Sequence, residues 1–171
     1  IVVVNVVSNY NVDQLIDLVT ILKNKGVDHI SFMPFHDIGL FSSGKENSGE
    51  FKIDEEKIEK LNKAVDQLVN IRKKSKAIEN YLAYLKLFKD AFAHKKLPFS
   101  CYAGYATLCI GAYGDIYPCF PRMEGEIDKG PNIRKTPLKE YWHSTEIKDD
   151  REKIRKCRDC FWNNQTEINL L

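Results

Sequence analysis

The most informative stretch of the chain covers residues 101–119 and reads CYAGYATLCIGAYGDIYPC. The side chains on both sides of Gly114 predict a short β-hairpin around a glycine-containing turn. Cys101 stands just before this hairpin, and Cys119 directly follows it. Because a hairpin returns its two ends to the same place, we expect these two cysteines to be neighbours in space.

The cysteines are concentrated in one part of the sequence. All five lie beyond residue 100, and the first 100 residues contain none. Two of them form a CxxC pair, a spacing at which a tight turn directs both thiolates towards one metal. The pair and the two hairpin-flanking cysteines predict a four-thiolate site made of Cys101, Cys119, Cys157 and Cys160.

Three kinds of four-cysteine arrangement fit this pattern. Disulfides are disfavoured because the sequence shows no secretory signal. All-thiolate zinc sites commonly use two CxxC-type pairs, whereas this chain has one. Iron–sulfur clusters are also held by four thiolates and accept less regular spacings. The residues alone favour a cluster and leave zinc open.

The remaining candidate site residues are interpreted more simply. Cys109 alternates with apolar neighbours in a hairpin strand, and we expect a buried core thiol there, since free cysteine is among the most buried residue types. Tryptophans are expected to pack beside the cysteine site and arginines near the cysteines to lie on the solvated surface. The residues concerned are Trp142, Trp162, Arg122, Arg134 and Arg158.

The composition limits the class of protein. The chain has 171 residues, of which 43% are apolar and 29% charged, as is typical of a globular protein. Its 26 basic and 24 acidic residues give a net charge of +2, which is too balanced to indicate a nucleic-acid surface. No apolar run approaches the roughly 20 residues that a membrane span requires. We therefore expect no nucleic-acid partner and no membrane span. The expected location is the cytoplasm.

The beginning of the chain predicts a βαβ unit. Residues 1–8 are a continuous apolar run rich in valine, typical of a strand buried on both faces. Asn11 is expected to cap a helix, with Gln14 in the capping-box position. Residues 29–34 predict a second, parallel strand. Since a protein rarely begins inside a buried strand, we expect this chain to be part of a longer α/β protein.

The rest of the chain is predicted to be mostly helical. The glycine- and serine-rich residues 37–52 predict a loop and the clearest boundary in the sequence. Residues 132–134 are a candidate third short strand, and no element is predicted for the amide-rich tail after Cys160. Apolar spacing and end signals predict helices over residues 54–74, 78–94, 137–142 and 145–155.

Four motifs resemble the C-terminal extension of radical SAM enzymes, which is called SPASM in its full form and Twitch in its shorter form. The motifs are Cys101-Tyr102-Ala103-Gly104, Gly114-Asp115-Ile116-Tyr117-Pro118-Cys119, Leu138-Lys139-Glu140-Tyr141-Trp142 and Cys157-Arg158-Asp159-Cys160. The most specific element is the glycine followed by four residues and a cysteine, with an earlier cysteine before it. The resemblance covers residues 99–171. Residues 1–36 are similar to the last strand–helix–strand unit of the radical SAM partial (β/α)6 barrel.

The sequence departs from the family pattern in two respects. It lacks the CxxxCxxC motif that binds the SAM-cleaving cluster, which would belong to the N-terminal part of the barrel. The full SPASM pattern also has further cysteines after the CxxC pair, whereas residues 161–165 of this chain read FWNNQ. Four cysteines suit one auxiliary cluster, which is the Twitch form.

The resemblance implies a fold and a function. The fold class is α/β followed by α+β, with residues 1–40 as the end of the barrel, 41–98 as a loop and helical connector, and 99–171 as the auxiliary cluster domain. The function implied is the C-terminal part of a radical SAM enzyme. Its one auxiliary [4Fe-4S] cluster would serve electron transfer or structural support in radical chemistry on an unknown substrate. S-adenosylmethionine and a second [4Fe-4S] cluster would belong to the full-length protein.

The barrel resemblance also implies contacts with SAM, because functional loops follow the carboxyl ends of barrel strands. The candidates that follow the two predicted strands are Ser8, Asn9, Met33, Pro34 and His36. The chain by itself is expected to be inactive, and an electron donor such as a ferredoxin or flavodoxin is the expected partner. The alternative function is a structural zinc-binding or protein-interaction module built on the same four cysteines.

Overall fold

The computed structural model describes residues 1–36, 51–93, 95–124 and 129–171. Almost all of the loop predicted over residues 37–52 lies outside the described residues. The described chain has a mixed α/β architecture in which a βαβ unit comes first, two long helices follow, and a small cysteine-bearing region comes last. No helix in these ranges is long and apolar enough to cross a membrane.

The βαβ unit forms as predicted. Strands β1 (Val2–Val7) and β2 (His29–Pro34) pair in parallel, with Val7 opposite Pro34. A 3₁₀ turn (Val12–Gln14) leads into helix α1 (Leu15–Asn24). Gly26 ends this helix with a φ of 77°, a left-handed conformation that favours glycine.

The burial predicted for β1 is wrong on one face. The side chains of Val2, Val4 and Val6 are 48%, 55% and 42% exposed, whereas Val7 is fully buried. Among the described residues, packing covers only one face of this strand, so the alternate valines meet solvent. A run of valines cannot show by itself whether one face or both are covered.

The capping role predicted for Asn11 is also wrong. Its side chain makes no bond to the start of the helix. Instead, its Oδ1 accepts a hydrogen bond from the Ser8 backbone N–H at 3.0 Å, and its Nδ2 donates to the Val6 carbonyl at 2.8 Å. Asparagine readily bonds to nearby backbone in this way, and here the bonds fix the turn that leaves β1.

Helices α2 (Glu55–Lys74) and α3 (Leu82–Phe92) pack against each other and complete the main core. Helix α3 begins four residues later than predicted. The residues before it are extended, and Ile78 forms a parallel bridge with Ile30 of β2. The main core consists of Val7, Val12, Leu15, Val19, Ile30, Phe32, Leu61, Ala64, Val65, Leu68, Val69, Ile78, Tyr84, Leu85 and Phe88.

The predicted hairpin is present in the last region. Strands β3 (Cys109–Ile110) and β4 (Ile116–Tyr117) are antiparallel, and Gly114 in their turn has a φ of 94°. The third short strand predicted over residues 132–134 is wrong. Asn132 makes only an isolated bridge with Asp115, and its side chain donates to the Tyr113 carbonyl at 2.8 Å.

Four helices complete this region: α4 (Phe120–Glu124), α5 (Leu138–His143), α6 (Thr145–Arg155) and α7 (Asn163–Asn169). Helices α5 and α6 confirm the predictions, and the Ser144 hydroxyl caps α6 by accepting from the Ile147 N–H. Helix α7 lies in the tail for which no element was predicted. Its asparagines are weak helix formers and it has no periodic apolar stripe.

Arg151 of α6 holds the segment that follows Cys101. Its Nε donates to the Gly104 carbonyl at 2.7 Å, and its Nη1 donates to the Trp142 carbonyl at 3.0 Å. The guanidinium carbon also lies 4.6 Å from the Trp142 ring centroid and 5.3 Å from that of Tyr105. Trp142 therefore packs on an arginine, and it is not among the residues that line the cysteine cavity described below.

Candidate metal centre

The four predicted cysteines line one cavity of about 160 Å³. They reach it from three separate segments of the chain. Cys101 comes from before the hairpin, Cys119 from the end of β4, and the CxxC pair from the turn after α6. The other lining residues are His36, Pro121, Arg122, Ile154, Asp159, Trp162 and Gln165. The hairpin argument for the first two cysteines thus agrees with the structure.

Backbone N–H groups favour the ionised form of three of the thiols. The backbone N–H of Ala103 lies 3.5 Å from the Cys101 sulfur. Such donors stabilise sulfur in its anionic form, which is the form that binds metal. In the same way the backbone N–H of Arg122 lowers the pKa of Cys119 and that of Trp162 lowers the pKa of Cys160, each by less than burial raises it.

Burial opposes ionisation of the same thiols. It raises the pKa of Cys101, that of Cys119 to about 11 and that of Cys160 to about 12. Without a metal these thiols are therefore neutral at pH 7. A bound metal must displace their protons, so its binding releases protons and weakens as the pH falls.

The four thiols form a donor set that suits an iron–sulfur cluster. All five cysteines are free, so the disulfide alternative is not realised. Among the described residues, no group of three or more His, Cys, Asp or Glu side chains is arranged to hold one metal ion. A zinc ion needs four ligands converging on one point at about 2.3 Å for sulfur. In a [4Fe-4S] cluster each thiolate binds a different iron, so thiols spaced around a cavity fit it.

An aromatic group forms one wall of the cavity. Trp162 stacks on Phe120 with ring centroids 5.1 Å apart and an interplanar angle of 27°. His36, which follows β2, lies 5.7 Å from the Trp162 ring. The packing role predicted for Trp162 therefore agrees with the structure, and His36 brings the first half of the chain to the cysteine cavity.

Hydrogen bonds tie the CxxC segment to the first half of the chain. The buried Tyr84 hydroxyl donates to the Phe161 carbonyl at 2.8 Å. The buried Asn80 side chain donates to Glu167 Oε1 at 2.9 Å, and the Leu97 N–H donates to the Arg158 carbonyl at 2.7 Å. The segment that carries Cys157 and Cys160 is thus held by α3 and its flanking residues. It is also held by α6, which ends just before it.

The candidate SAM contacts lie at one edge of the β1–β2 sheet but do not share a cavity. Ser8 and Met33 are 7% and 8% exposed. Asn9 donates to Asp54 Oδ2 at 2.8 Å, at the start of α2. Pro34 and His36 line a second cavity of about 230 Å³, together with Phe35, Lys52, Ile53, Ala91, Phe92, Lys95, Lys96, Asp159 and Phe161. A SAM-binding role for these residues stays a prediction.

Cys109 and two arginines differ from expectation. Cys109 is half-buried rather than fully buried, and it does not line the cysteine cavity. Arg122 lines that cavity, where its guanidinium offsets a small part of the burial that raises the pKa of Cys101 and Cys119. Arg158 is half-buried, and its Nη1 atom is buried without a hydrogen-bond partner in the described chain. Of the three arginines, only Arg134 is exposed as predicted.

Sequence reasoning missed two amide side chains at the site. Gln165 lines the cavity, and the Asn169 side chain accepts from the backbone N–H of Tyr102, next to Cys101, at 2.9 Å. Both belong to α7, in the tail without a recognisable helical pattern. The only signal in the sequence was the density of amide residues there, which does not point to a metal site.

Comparison with known proteins agrees with this geometry. Residues 101–161 match the model of the SPASM family, an iron–sulfur cluster-binding domain. Among curated proteins, no sequence gives a significant match. Three similar solved structures illustrate the likeness of fold.

Native anSMEcpe with bound AdoMet has a TM-score of 0.59 and 15% identity, covering 90% of this chain and 41% of that one. Native anSMEcpe with bound AdoMet and Kp18Cys peptide has a TM-score of 0.54 at 15% identity, with the same two coverages. SuiB of Streptococcus suis, bound to S-adenosylmethionine, has a TM-score of 0.53 and 19% identity, covering 91% of this chain and 35% of that one. The chain therefore spans about two-fifths of the length of these proteins.

The family match and the structural similarity cover different parts of the chain. The family model covers the region of the cysteine cavity, whereas the structural likeness includes the βαβ unit and the long helices. Residues 101–161 are thus similar to the SPASM iron–sulfur cluster-binding domain, in a chain whose mixed α/β fold is similar to part of the anSMEcpe and SuiB structures.

Proposed function

We propose that this chain is the C-terminal part of a radical SAM enzyme and that it binds one auxiliary [4Fe-4S] cluster. The proposed ligands are Cys101, Cys119, Cys157 and Cys160. The observation that carries the proposal is their position, since four thiols from three segments surround one cavity in a SPASM-type domain. Four thiolates are also the ligand set of a [4Fe-4S] cluster, in which each thiolate binds a different iron.

Such a cluster, when bound, supplies a site that accepts and donates single electrons. Four thiolates fill its protein ligand positions and leave none open for substrate. The cysteines therefore serve electron transfer or structural support in preference to substrate ligation. Trp162, which stacks on Phe120, lines the cavity and places an apolar ring beside the proposed cluster.

The remaining parts of the reaction belong to the full-length enzyme. S-adenosylmethionine and a second [4Fe-4S] cluster are expected there, because this chain has no CxxxCxxC motif. We therefore propose that the chain alone does not cleave SAM. Residues after β1 and β2, such as Asn9 and His36, are proposed SAM contacts. A cytoplasmic ferredoxin or flavodoxin is the proposed electron donor.

The test is metal and sulfide analysis of the anaerobically reconstituted chain. We expect about four iron and four sulfide per chain, with a broad visible absorption band. Cys157→Ser/Cys160→Ser should abolish both, because two of four ligands are lost. Cys109→Ser is the matched control, since that thiol lies outside the cavity lining, and it should retain the full iron content. About one zinc per chain and no visible band would contradict the proposal.

A further inference from the structure

A run of basic residues leads into the CxxC pair. Residues 151–158 read REKIRKCR, with five basic residues and one acidic residue, although the whole chain has a net charge of only +2. Three of the five lie within two residues of Cys157, the first cysteine of the pair. We call these three residues the basic face, and they are Arg155, Lys156 and Arg158.

The positive charge of the basic face is not compensated by nearby carboxylates. Arg155 and Lys156 are exposed, and in the described part of the chain neither of them forms an ion pair. The neighbouring Asp150 and Asp159 each pair with a lysine outside the basic face. Uncompensated positive charge on an exposed surface attracts an acidic partner and speeds its association.

A second segment adds positive charge on the same side of the cysteine cavity. The Leu97 N–H donates to the Arg158 carbonyl at 2.7 Å, which places Lys95 and Lys96 beside the CxxC turn. Lys96 pairs with Asp159, and Asp159 lines the cysteine cavity. Basic side chains from two distant parts of the sequence therefore meet around the CxxC turn.

The basic face adjoins a proposed cluster ligand that approaches the surface. Cys157 is only half-buried, whereas Cys101 is buried. An electron passes between two proteins only when its donor and its acceptor come close together. A carrier that docks on the basic face would lie next to Cys157, on a short route to the proposed cluster.

We propose that the basic face is the docking surface of an acidic one-electron carrier protein, which delivers electrons to the cluster on the side of Cys157. The inference rests on the function proposed above. One electron leaves the reduced carrier and enters the oxidised cluster, and no bond is made or broken. A nucleic acid fits this surface less well, because domains that bind one have a strongly basic overall charge and this chain has a charge of +2.

Basic residues also suit the carboxyl end of any helix, where they complement the helix dipole. Helix α2 ends in this way, with the exposed Lys73 and Lys74 in its last turn. That end lies beside the start of β2, whereas the cysteine cavity meets His36, beyond the other end of the strand. Lys73→Glu/Lys74→Glu is therefore a matched control for Arg155→Glu/Lys156→Glu, with the same change of charge at a helix end away from the cavity.

The test uses the cluster-loaded 171-residue chain with a strongly acidic flavodoxin as the probe. Isothermal titration calorimetry with the oxidised flavodoxin gives the Kd, and stopped-flow absorption gives the rate at which the reduced flavodoxin reduces the cluster. At an ionic strength of about 10 mM, Arg155→Glu/Lys156→Glu should weaken binding and slow reduction about tenfold. Lys73→Glu/Lys74→Glu should change both less than about twofold. At about 1 M salt the difference between the variants should disappear.

The outcomes separate this proposal from the one on which it rests. An equal loss of binding in the two double variants would overturn the docking surface, because net charge alone would then explain the effect. An RNA oligonucleotide that binds the wild-type chain more tightly than the flavodoxin would overturn it as well. A wild-type chain that binds no iron or sulfide would instead overturn the proposed function itself.

A neutral variant keeps the test decisive if the glutamates prevent cluster assembly. Arg155→Gln/Lys156→Gln removes the two positive charges and adds no negative charge at the carboxyl end of α6. We expect binding and reduction to weaken about threefold at low salt. Wild-type binding and wild-type reduction rates in this cluster-loaded variant would contradict a docking role for the basic face.

Discussion

The two halves of the molecule are stabilised in different ways. In the described residues, the βαβ unit and the two long helices share one core of 15 buried side chains. The cysteine-bearing region has small clusters of three buried residues each, such as Ile116 with Tyr141 and Ile147. It also contains hydrogen bonds, aromatic and cation–π contacts, and the four thiols around the cavity. The comparison indicates that the first half folds around apolar side chains, whereas the second half has little apolar core of its own, as expected of a region that the proposed cluster would stabilise.

The largest expected effect comes from removing the proposed cluster ligands. Cys157→Ser/Cys160→Ser should cost the cysteine-bearing region most of its protection against amide hydrogen exchange. In the wild type the proposed cluster would join three segments of that region, and the double variant loses this link. Protection in β2, α2 and α3 should persist, since their core is independent of the cysteines. Hydrogen exchange followed by mass spectrometry measures both regions at once. Equal protection of the cysteine-bearing region with and without its cofactor would break the comparison.

Truncating a side chain of the main core should destabilise the first half and leave the iron content of the cysteine-bearing region unchanged. Phe88 is fully buried and packs edge-to-face on Tyr84, with ring centroids 5.3 Å apart. Phe88→Ala should lower the free energy of unfolding of the first half by about 3–5 kcal/mol. Denaturant unfolding followed by circular dichroism measures the loss. Iron content per folded chain should stay at the wild-type value, and a loss of iron would show that the halves are not separable in this way.

One of the hydrogen bonds that join the two halves allows a sharper test. Tyr84→Phe removes the hydroxyl that donates to the Phe161 carbonyl and leaves that carbonyl unpaired in a buried place. We expect a loss of about 1–3 kcal/mol in unfolding free energy. Because Phe161 follows Cys160, cluster loss on exposure to air should also be faster. A variant with normal stability and a normal rate of cluster loss would show that this link contributes nothing.

The stacked arginine should have a smaller effect that is local to the second half. Arg151→Lys keeps the positive charge but loses the planar group between two aromatic rings and one of two carbonyl bonds. The expected cost is about 1–2 kcal/mol, from the cation–π contacts and the lost hydrogen bond. Arg155→Lys at an exposed position of the same helix is the control and should change stability by less than about 0.5 kcal/mol. Thermal unfolding of both variants distinguishes them.

The smallest expected effect concerns pH. Burial raises the pKa of Glu167, which accepts hydrogen bonds from Asn80 and from the Tyr81 N–H. A carboxyl whose pKa is higher in the folded state is protonated more readily there. It therefore reduces stability as the pH rises through the interval between its unfolded and folded pKa values.

Glu167→Gln should remove this pH dependence. The amide oxygen can still accept from Asn80 and from the Tyr81 N–H, so the variant should be slightly more stable than the wild type at pH 7. At pH 4 the advantage should shrink. Unfolding midpoints measured from pH 4 to pH 8 test this sign, and a larger advantage at low pH would contradict it.

Some parts of this architecture could be predicted from sequence because local rules determine them. The glycine turn brings Cys101 to Cys119, and strand β2 begins and ends at the predicted residues. Other parts depend on packing between distant segments. Arg122 has the same appearance in a sequence whether it faces solvent or the cysteine cavity. Asn169 reaches the segment of Cys101, where it accepts from the Tyr102 N–H, only because α7 folds back to it. The tail has no periodic apolar pattern that would predict this helix.

Iron-edge X-ray absorption of the reconstituted chain tests the central claim most directly. The claim is that the cysteine-bearing region is organised around one cluster held by four thiols. We predict a first shell made only of sulfur and a clear iron–iron shell, both absent from Cys157→Ser/Cys160→Ser. The contradicting result is a mononuclear metal with four sulfurs at about 2.3 Å and no metal–metal shell.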